Sequence, residues 1–288
     1  MLRSMYSGIG AMRNFQTKLD VIGNNIANVN TYGFKKGRTI FKDLMSQTIS
    51  GASGPNAGAG RGGTNPKQVG LGSQLAAIDT VHTQGSLQTT GRVLDLAISG
   101  DGFFILGELN NGNLINPLFT RAGNFYLDKE GYIVNADGLY LVGEGYQNGA
   151  FTGKRARIQI PTDAKSVSIG ADGVVNYVDA VGNLQVAGRI RLAKFPNNDG
   201  LEKVGGNLFR ETANSGTIIN PNNQNEWIAY PPQESGAGSI VSGALEMSNV
   251  DLAEEFTEMI VAQRGFQANT RIITTSDEIL QELVNLKK

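Results

Sequence analysis

SGALEMSNVDLAEEFTEMIVAQRGFQANTRIITTSDEILQELVNL, residues 242–286, is the stretch that decides the fold. Leu252, Phe256, Met259, Gln263, Phe266, Thr270, Ile273, Asp277, Leu280 and Val284 alternate steps of four and three, the period of one helix face. Ser248 followed by Asp251 fits a capping box, and Glu254 and Glu255 suit the positive end of a helix dipole. Lys287 and Lys288 sit at the favourable negative end. A helix from about 249 to 286 would run roughly 57 Å at 1.5 Å per residue. That length exceeds an ordinary globular helix and predicts a coiled-coil-like rod.

The N-terminus supplies a second amphipathic stripe: Leu2, Met5, Ile9, Met12, Phe15, Leu19, Ile22, Ile26 and Val29, with one phase slip between Met12 and Phe15. Asn30 and Gly33 form the expected stop. Residues 1–44 carry seven Lys/Arg against two Asp/Glu, and residues 246–288 carry four against eight. Opposite net charges favour contact between the two helices, although an exposed pair contributes only about 0–1 kcal/mol. Gly8, Gly10 and Gly23 each cost a helix interior about 1 kcal/mol relative to alanine and permit close helix–helix approach. Two helices packed only on each other leave part of an apolar stripe uncovered, which predicts self-assembly.

Between the helices the pattern changes. Residues 34–70 are expected to be an extended Gly-rich arm, from SQTISGASGPNAGAGRGGTNPKQVG at 46–70. Residues 71–247 read as short strands with alternation, as at Leu94, Leu96 and Ile98 and at Ala156, Ile158 and Ile160. Asp-Gly at 101–102, 137–138, 172–173 and 199–200, and Asn-Gly at 111–112 and 148–149, are hairpin signals because both pairs tolerate positive φ. The expected fold is α+β: residues 1–33 and 248–288 form a helical core domain, and a mostly antiparallel β domain is inserted between them.

Chemistry finds little to build on. The chain has no cysteine, so it holds neither disulfides nor thiolate metal sites, and its one histidine, His82, cannot anchor a multi-histidine metal centre. His82 lies in an apparent strand, AIDTVHTQG, where a structural role is expected. GAGRGG at 58–63 lacks the preceding apolar strand of a dinucleotide fingerprint. The pairs Glu254/Glu255 and Asp277/Glu278 read as solvated helix faces. The basic cluster Lys35, Lys36, Arg38 and Lys42 lacks the aromatic interleaving of a nucleic-acid interface. The formal net charge of −1 gives no general attraction to nucleic acid or membrane, and no apolar run reaches a membrane span. No apolar secretory core is found near the N-terminus. A β-rich glycan binder or hydrolase would need an aromatic-lined cleft or a carboxylate pair, and Trp227 is the only tryptophan. No catalytic residue, metal or cofactor is expected.

NNIANVNTYGFK at 24–35 resembles the N-terminal signature of bacterial flagellar axial (rod and hook) proteins. TGRVLDLAISGDGFF at 90–104 and TRAGNFYLD at 120–128 are similar to that family's β-domain motifs, and 242–286 to its C-terminal signature. The resemblance implies a non-enzymatic subunit of a helical homopolymer, with terminal helices lining an export channel and the β domain outside. It implies contacts with adjacent axial proteins (rod, hook cap and hook–filament junction) and signal-independent passage through the flagellar type III export apparatus. It implies a place in the hook or basal body, with no nucleic acid and no membrane insertion. The assembly seam carried over is Leu2, Met5, Ile9, Leu19, Ile22, Ile26, Leu252, Phe256, Met259, Ile260, Phe266 and Ile273. GRTIFKDL at 37–44 and NPKQVGLGS at 65–73 resemble the short hook type, which is the expected member. Longer hook proteins would carry an outer β domain near 146–155, for which this chain has little room. The Gly-rich arm and IPTDAKSVSIGADGVV at 160–175 also resemble distal-rod proteins, the alternative.

Overall fold

A computed structural model describes residues 2–55, 62–110, 113–147, 149–217 and 229–286. The chain forms two compact units: one takes residues 1–27, 37–80 and 251–288, the other residues 28–36 and 81–250.

In the first unit, helix α1 (Leu2–Ala27) and helix α2 (Leu252–Asn285) pack antiparallel. Their partners descend along α2 as they climb α1. Gly8 faces Ile273, the Thr270 hydroxyl meets Met12 Sδ at 3.4 Å, Lys18 pairs with Glu258, and Asn25 reaches Glu255. At 34 residues against 26, α2 runs past the start of α1. The expected capping box is not used. Asp251 is the N-cap, accepting from the N–H groups of Ala253 at 2.8 Å and Glu254 at 3.4 Å, while Ser248 accepts from Val250 in the turn before. Helix α1 ends at Ala27, ahead of the expected stop, because Asn28 begins a turn closed by Thr31 through both backbone and side chain.

The stretch 34–70, read from composition as an extended arm, carries strands instead. Strand β1 (Gly37–Asp43) pairs antiparallel with β4 (Ser73–Thr80), with an irregularity between Ile40 and Phe41. Strands β2 (Gln47–Ser50) and β3 (Lys67–Val69) pair as a ribbon. Residues 71–80 therefore belong with the helices rather than with the β domain. A glycine-rich composition hides this pairing because β1 and β4 find each other across some thirty intervening residues. Phe41 of β1 meets Phe15 of α1 edge to face at 6.3 Å, and Asn25 clamps Gly37 by donating to its carbonyl and accepting from its N–H, both at 2.9 Å.

The second unit is built on an antiparallel sheet of thirteen strands among the described residues. Its central strand, Phe103–Asn110, is flanked by Tyr140–Gln147 and Asn113–Thr120. The run Phe103, Phe104, Ile105, Leu106 is buried on both faces. Phe104 and Leu106 join Leu96, Ile98, Phe125 and Leu141 in one cluster, while Phe103 and Ile105 join Phe119, Phe195 and Phe209 in another. A strand covered on both sides has no polar alternation, hence the unbroken apolar run.

Three of the four Asp-Gly glycines adopt positive φ: Gly102, Gly138 and Gly173. Those at 137–138 and 172–173 close hairpins. Asp101–Gly102 does not, because strand Leu96–Ser99 pairs with Ser239–Ser242. Gly200 ends a short 3-10 turn instead. His82 is not in a strand, since β4 stops at Thr80. Asn111, Gly112, Asn148, Gly58, Gly60, Trp227, Lys287 and Lys288, singled out above, lie outside the described residues, as does the side chain of Leu2.

Candidate assembly surfaces and the buried ionic cluster

The helix pair divides the expected seam into two groups. Ile22 is buried, and Met5, Ile9, Leu19, Ile26, Met259 and Ile273 are partly buried. Leu252, Phe256, Ile260 and Phe266 are exposed, with Phe256 at 50% and Ile260 at 59%. Leu252, Phe256 and Ile260 follow one another at i, i+4, so they form a single row on α2. Val261, Ile279, Leu283 and Val284 extend the exposed apolar surface of this helix.

Among the glycines, the close helix–helix approach lies where the sequence did not point. A Cβ on Gly8 would sit 3.6 Å from Ile273, an ordinary contact, and one on Gly23 would meet nothing within 4 Å. On Gly265 of α2 it would lie 2.5 Å from Phe15 Cζ. Glu255, expected on a solvated face, is buried and accepts from Asn25 Nδ2 at 3.1 Å. The ribbon β2–β3 is exposed along its whole length, including Ile49 of β2, and the nearby Met45 is also open to solvent. A two-stranded ribbon without a covered face is marginal in water.

The second unit holds a buried ionic cluster that sequence reading missed. Lys35, grouped above in the basic cluster with Lys36, Arg38 and Lys42, is fully buried and donates to Glu246 Oε1 at 2.5 Å and to the Thr83 carbonyl at 2.6 Å. Arg121 approaches Glu246 Oε2 at 3.4 Å and lies over the Phe103 ring. The Gly85 N–H donates to Glu246 Oε1 at 3.0 Å, and the Gly33 N–H donates to the Glu246 carbonyl at 2.8 Å. Burial pushes the Lys35 ammonium below its ordinary pKa, against the raising effect of Glu246. Gly33, at φ +69°, is required here: a Cβ would fall 2.5 Å from the Ala122 nitrogen. The available signal was that Lys35, Arg121 and Glu246 each sit inside a quoted motif. Nothing in the sequence paired them.

A second network joins Glu144 to Arg189 and Arg191 at 3.0 and 2.8 Å. Burial works against the Glu144 carboxylate, but hydrogen bonds from Arg191, Arg189 and the Gly153 N–H outweigh it and lower its pKa. Among the described residues no group of three or more His, Asp or Glu could hold a metal ion, and no helix is long and apolar enough to cross a membrane.

Three family descriptions match in chain order: a flagella basal body rod protein model over 5–35, a flagellar hook protein FlgE/F/G D1 domain over 97–177, and a flagellar basal body rod FlgEFG protein C-terminal model over 241–286. The flagellar basal-body rod protein FlgG of Bacillus subtilis is 58% identical over 288 residues, covering 100% of both chains. The chain belongs to the flagellar rod and hook protein family. The Caulobacter vibrioides rod protein FlgG is 37% identical, covering 99% of this chain and 98% of its own. The flagellar hook protein FlgE of Borreliella burgdorferi is 33% identical over an alignment of 457 residues that covers both chains completely. The family is one of structural flagellar proteins, and its terminal motifs map onto α1 and α2 while the D1 match falls within the thirteen-stranded sheet unit.

Proposed function

We propose that this chain is the distal-rod subunit of the flagellar basal body, a straight drive-shaft segment, rather than the hook subunit expected from the sequence. The observation that carries this reading is the 58% identity to a rod protein with both chains covered end to end. The hook relative needs a 457-residue alignment to span the same 288 residues. The fold supports the same choice at one point. Strands Tyr140–Gln147 and Ala150–Arg157 pair from Gln147 with Ala150 outward, so a tight hairpin occupies the place where an outer domain would be inserted.

On this reading the exposed row Leu252, Phe256 and Ile260, with Phe266, meets the helices of neighbouring copies, while Met5, Ile9, Leu19, Ile22, Ile26, Met259 and Ile273 hold α1 to α2 within the subunit. Apolar side chains left half exposed by one coiled pair favour a repeat of the same packing in a helical homopolymer. The ribbon β2–β3 gains its cover from the same assembly. The helices then form the inner layer around an export channel, with the adjacent rod and hook proteins as axial neighbours and the flagellar export apparatus as the route outward. Electron microscopy of polymers grown from the purified chain tests the assignment. Straight, stiff polymers across temperature and pH are expected, and polymers that bend and change curvature would return the chain to the hook.

A further inference from the structure

His82 is the only histidine in the chain, and its surroundings are unusual for a titratable group. Its ring packs at 5.6 Å from the Phe103 ring and 5.3 Å from the Phe209 ring. Both ring nitrogens are buried and have no hydrogen-bond partner. The charged groups around it are Lys35, Arg121 and Lys203, with Glu246 shared between Lys35 and Arg121, and Asp101 acting on Arg121. An imidazolium there would be a further cation with no acceptor, beside three existing cations and one shared carboxylate.

The same place is where segment 28–36 is fastened to the sheet of its own unit. Val81 donates to the Lys36 carbonyl at 2.9 Å, Lys36 N–H donates to Asn249 Oδ1 at 2.8 Å, and Lys203 Nζ donates to the Lys35 carbonyl at 2.9 Å. Asn207 Nδ2 donates to the Tyr32 carbonyl at 2.9 Å. His82 thus follows directly on Val81, which bonds this segment, and packs its ring on the aromatic pair Phe103 and Phe209.

We propose that His82 is a pH-sensitive latch: as neutral imidazole it closes the Lys35–Glu246–Arg121 cluster and holds segment 28–36 in place, and on protonation it releases that segment. Burial comes first among the causes that lower its pKa to about 4, followed by repulsion from Lys35, Arg121 and Lys203. An opened segment lets the ring ionise near its ordinary value of about 6.5. The closed form is therefore fully favoured above about pH 6.5, and the advantage declines as pH falls toward 4. Because carboxylates ionise lower, the interval between pH 7 and 5 isolates the single histidine.

The test is hydrogen exchange on the full-length monomer at pH 7 and pH 5, corrected for intrinsic rates, reading the amides of Gly33, Lys36 and Gly85. Protection in the wild type falls about twenty-fold between these pH values, whereas His82→Phe, which fills the same aromatic slot and gives up no hydrogen bond, keeps it. Equal loss in both proteins, or no loss in the wild type, overturns the latch. A proton NMR titration of the wild-type ring gives an independent reading should the variant not fold: a folded-state pKa near 4 supports the proposal, and one near 6.5 overturns it.

Discussion

The ring of Phe15 lies so close to the backbone of Gly265 that a Cβ there would come within 2.5 Å of Cζ. Gly265→Ala therefore gains helix propensity of about 1 kcal/mol but overpacks the seam by about 1–3 kcal/mol. Phe15 has little freedom to move away, because Phe41 packs against its ring. Chemical denaturation should show a net loss of about 1 kcal/mol, and adding Phe15→Leu should restore most of it. A Gly265→Ala protein more stable than wild type would mean that the helices do not meet there.

Glu246→Gln should destabilise the chain by about 3–5 kcal/mol, since it leaves Lys35 and Arg121 buried with half their acceptors gone. Removing all three charges, as Lys35→Met, Arg121→Met and Glu246→Leu together, should cost less than the single change, because no buried ion is then left without a partner. Thermal or urea unfolding read by circular dichroism checks the order. A single change costing under about 1 kcal/mol would place this cluster in contact with solvent.

Ile260→Asp is placed to separate folding from assembly. The side chain is 59% exposed, so the monomer should lose no more than about 0.5 kcal/mol. Polymer formation should nevertheless disappear, because each subunit would bury an unpaired carboxylate. Sedimentation of the mutant together with its melting curve is the measurement. Normal filaments from this variant would remove Ile260 from the seam.

The network around Glu144 carries a pH dependence of the same sign as that of His82, because both contributions are lost as pH falls, but it lies in the carboxylate range. A carboxyl whose pKa is lowered by folding contributes stability above the usual carboxylate range of about 4.3, and that contribution is lost as pH falls through its folded value. Glu144→Gln should therefore be less stable than wild type at pH 7. The gap should narrow as pH falls below the usual carboxylate range. A gap that does not narrow in acid would assign the effect to packing instead of charge.

The two helices, their amphipathic faces and the antiparallel middle were legible in the residues. A period of four and three over more than thirty residues, or Asp-Gly at 172–173 between two apolar runs, is local information. The chain needs no distant partner to express it. Family membership was legible for the same reason, in contiguous motifs at both ends.

Only the tertiary structure decided which residues those motifs bring together. Lys35, Arg121 and Glu246 each looked like an ordinary charged position, and their meeting depends on backbone segments separated by up to 211 residues. Strands β1 and β4 were hidden within and beyond a glycine-rich stretch because strand pairing is a non-local choice, set by what lies opposite. The division of the α2 stripe has the same origin: periodicity marks every apolar position alike, and α1, covering one side of α2, leaves Phe256 and Ile260 exposed on the other.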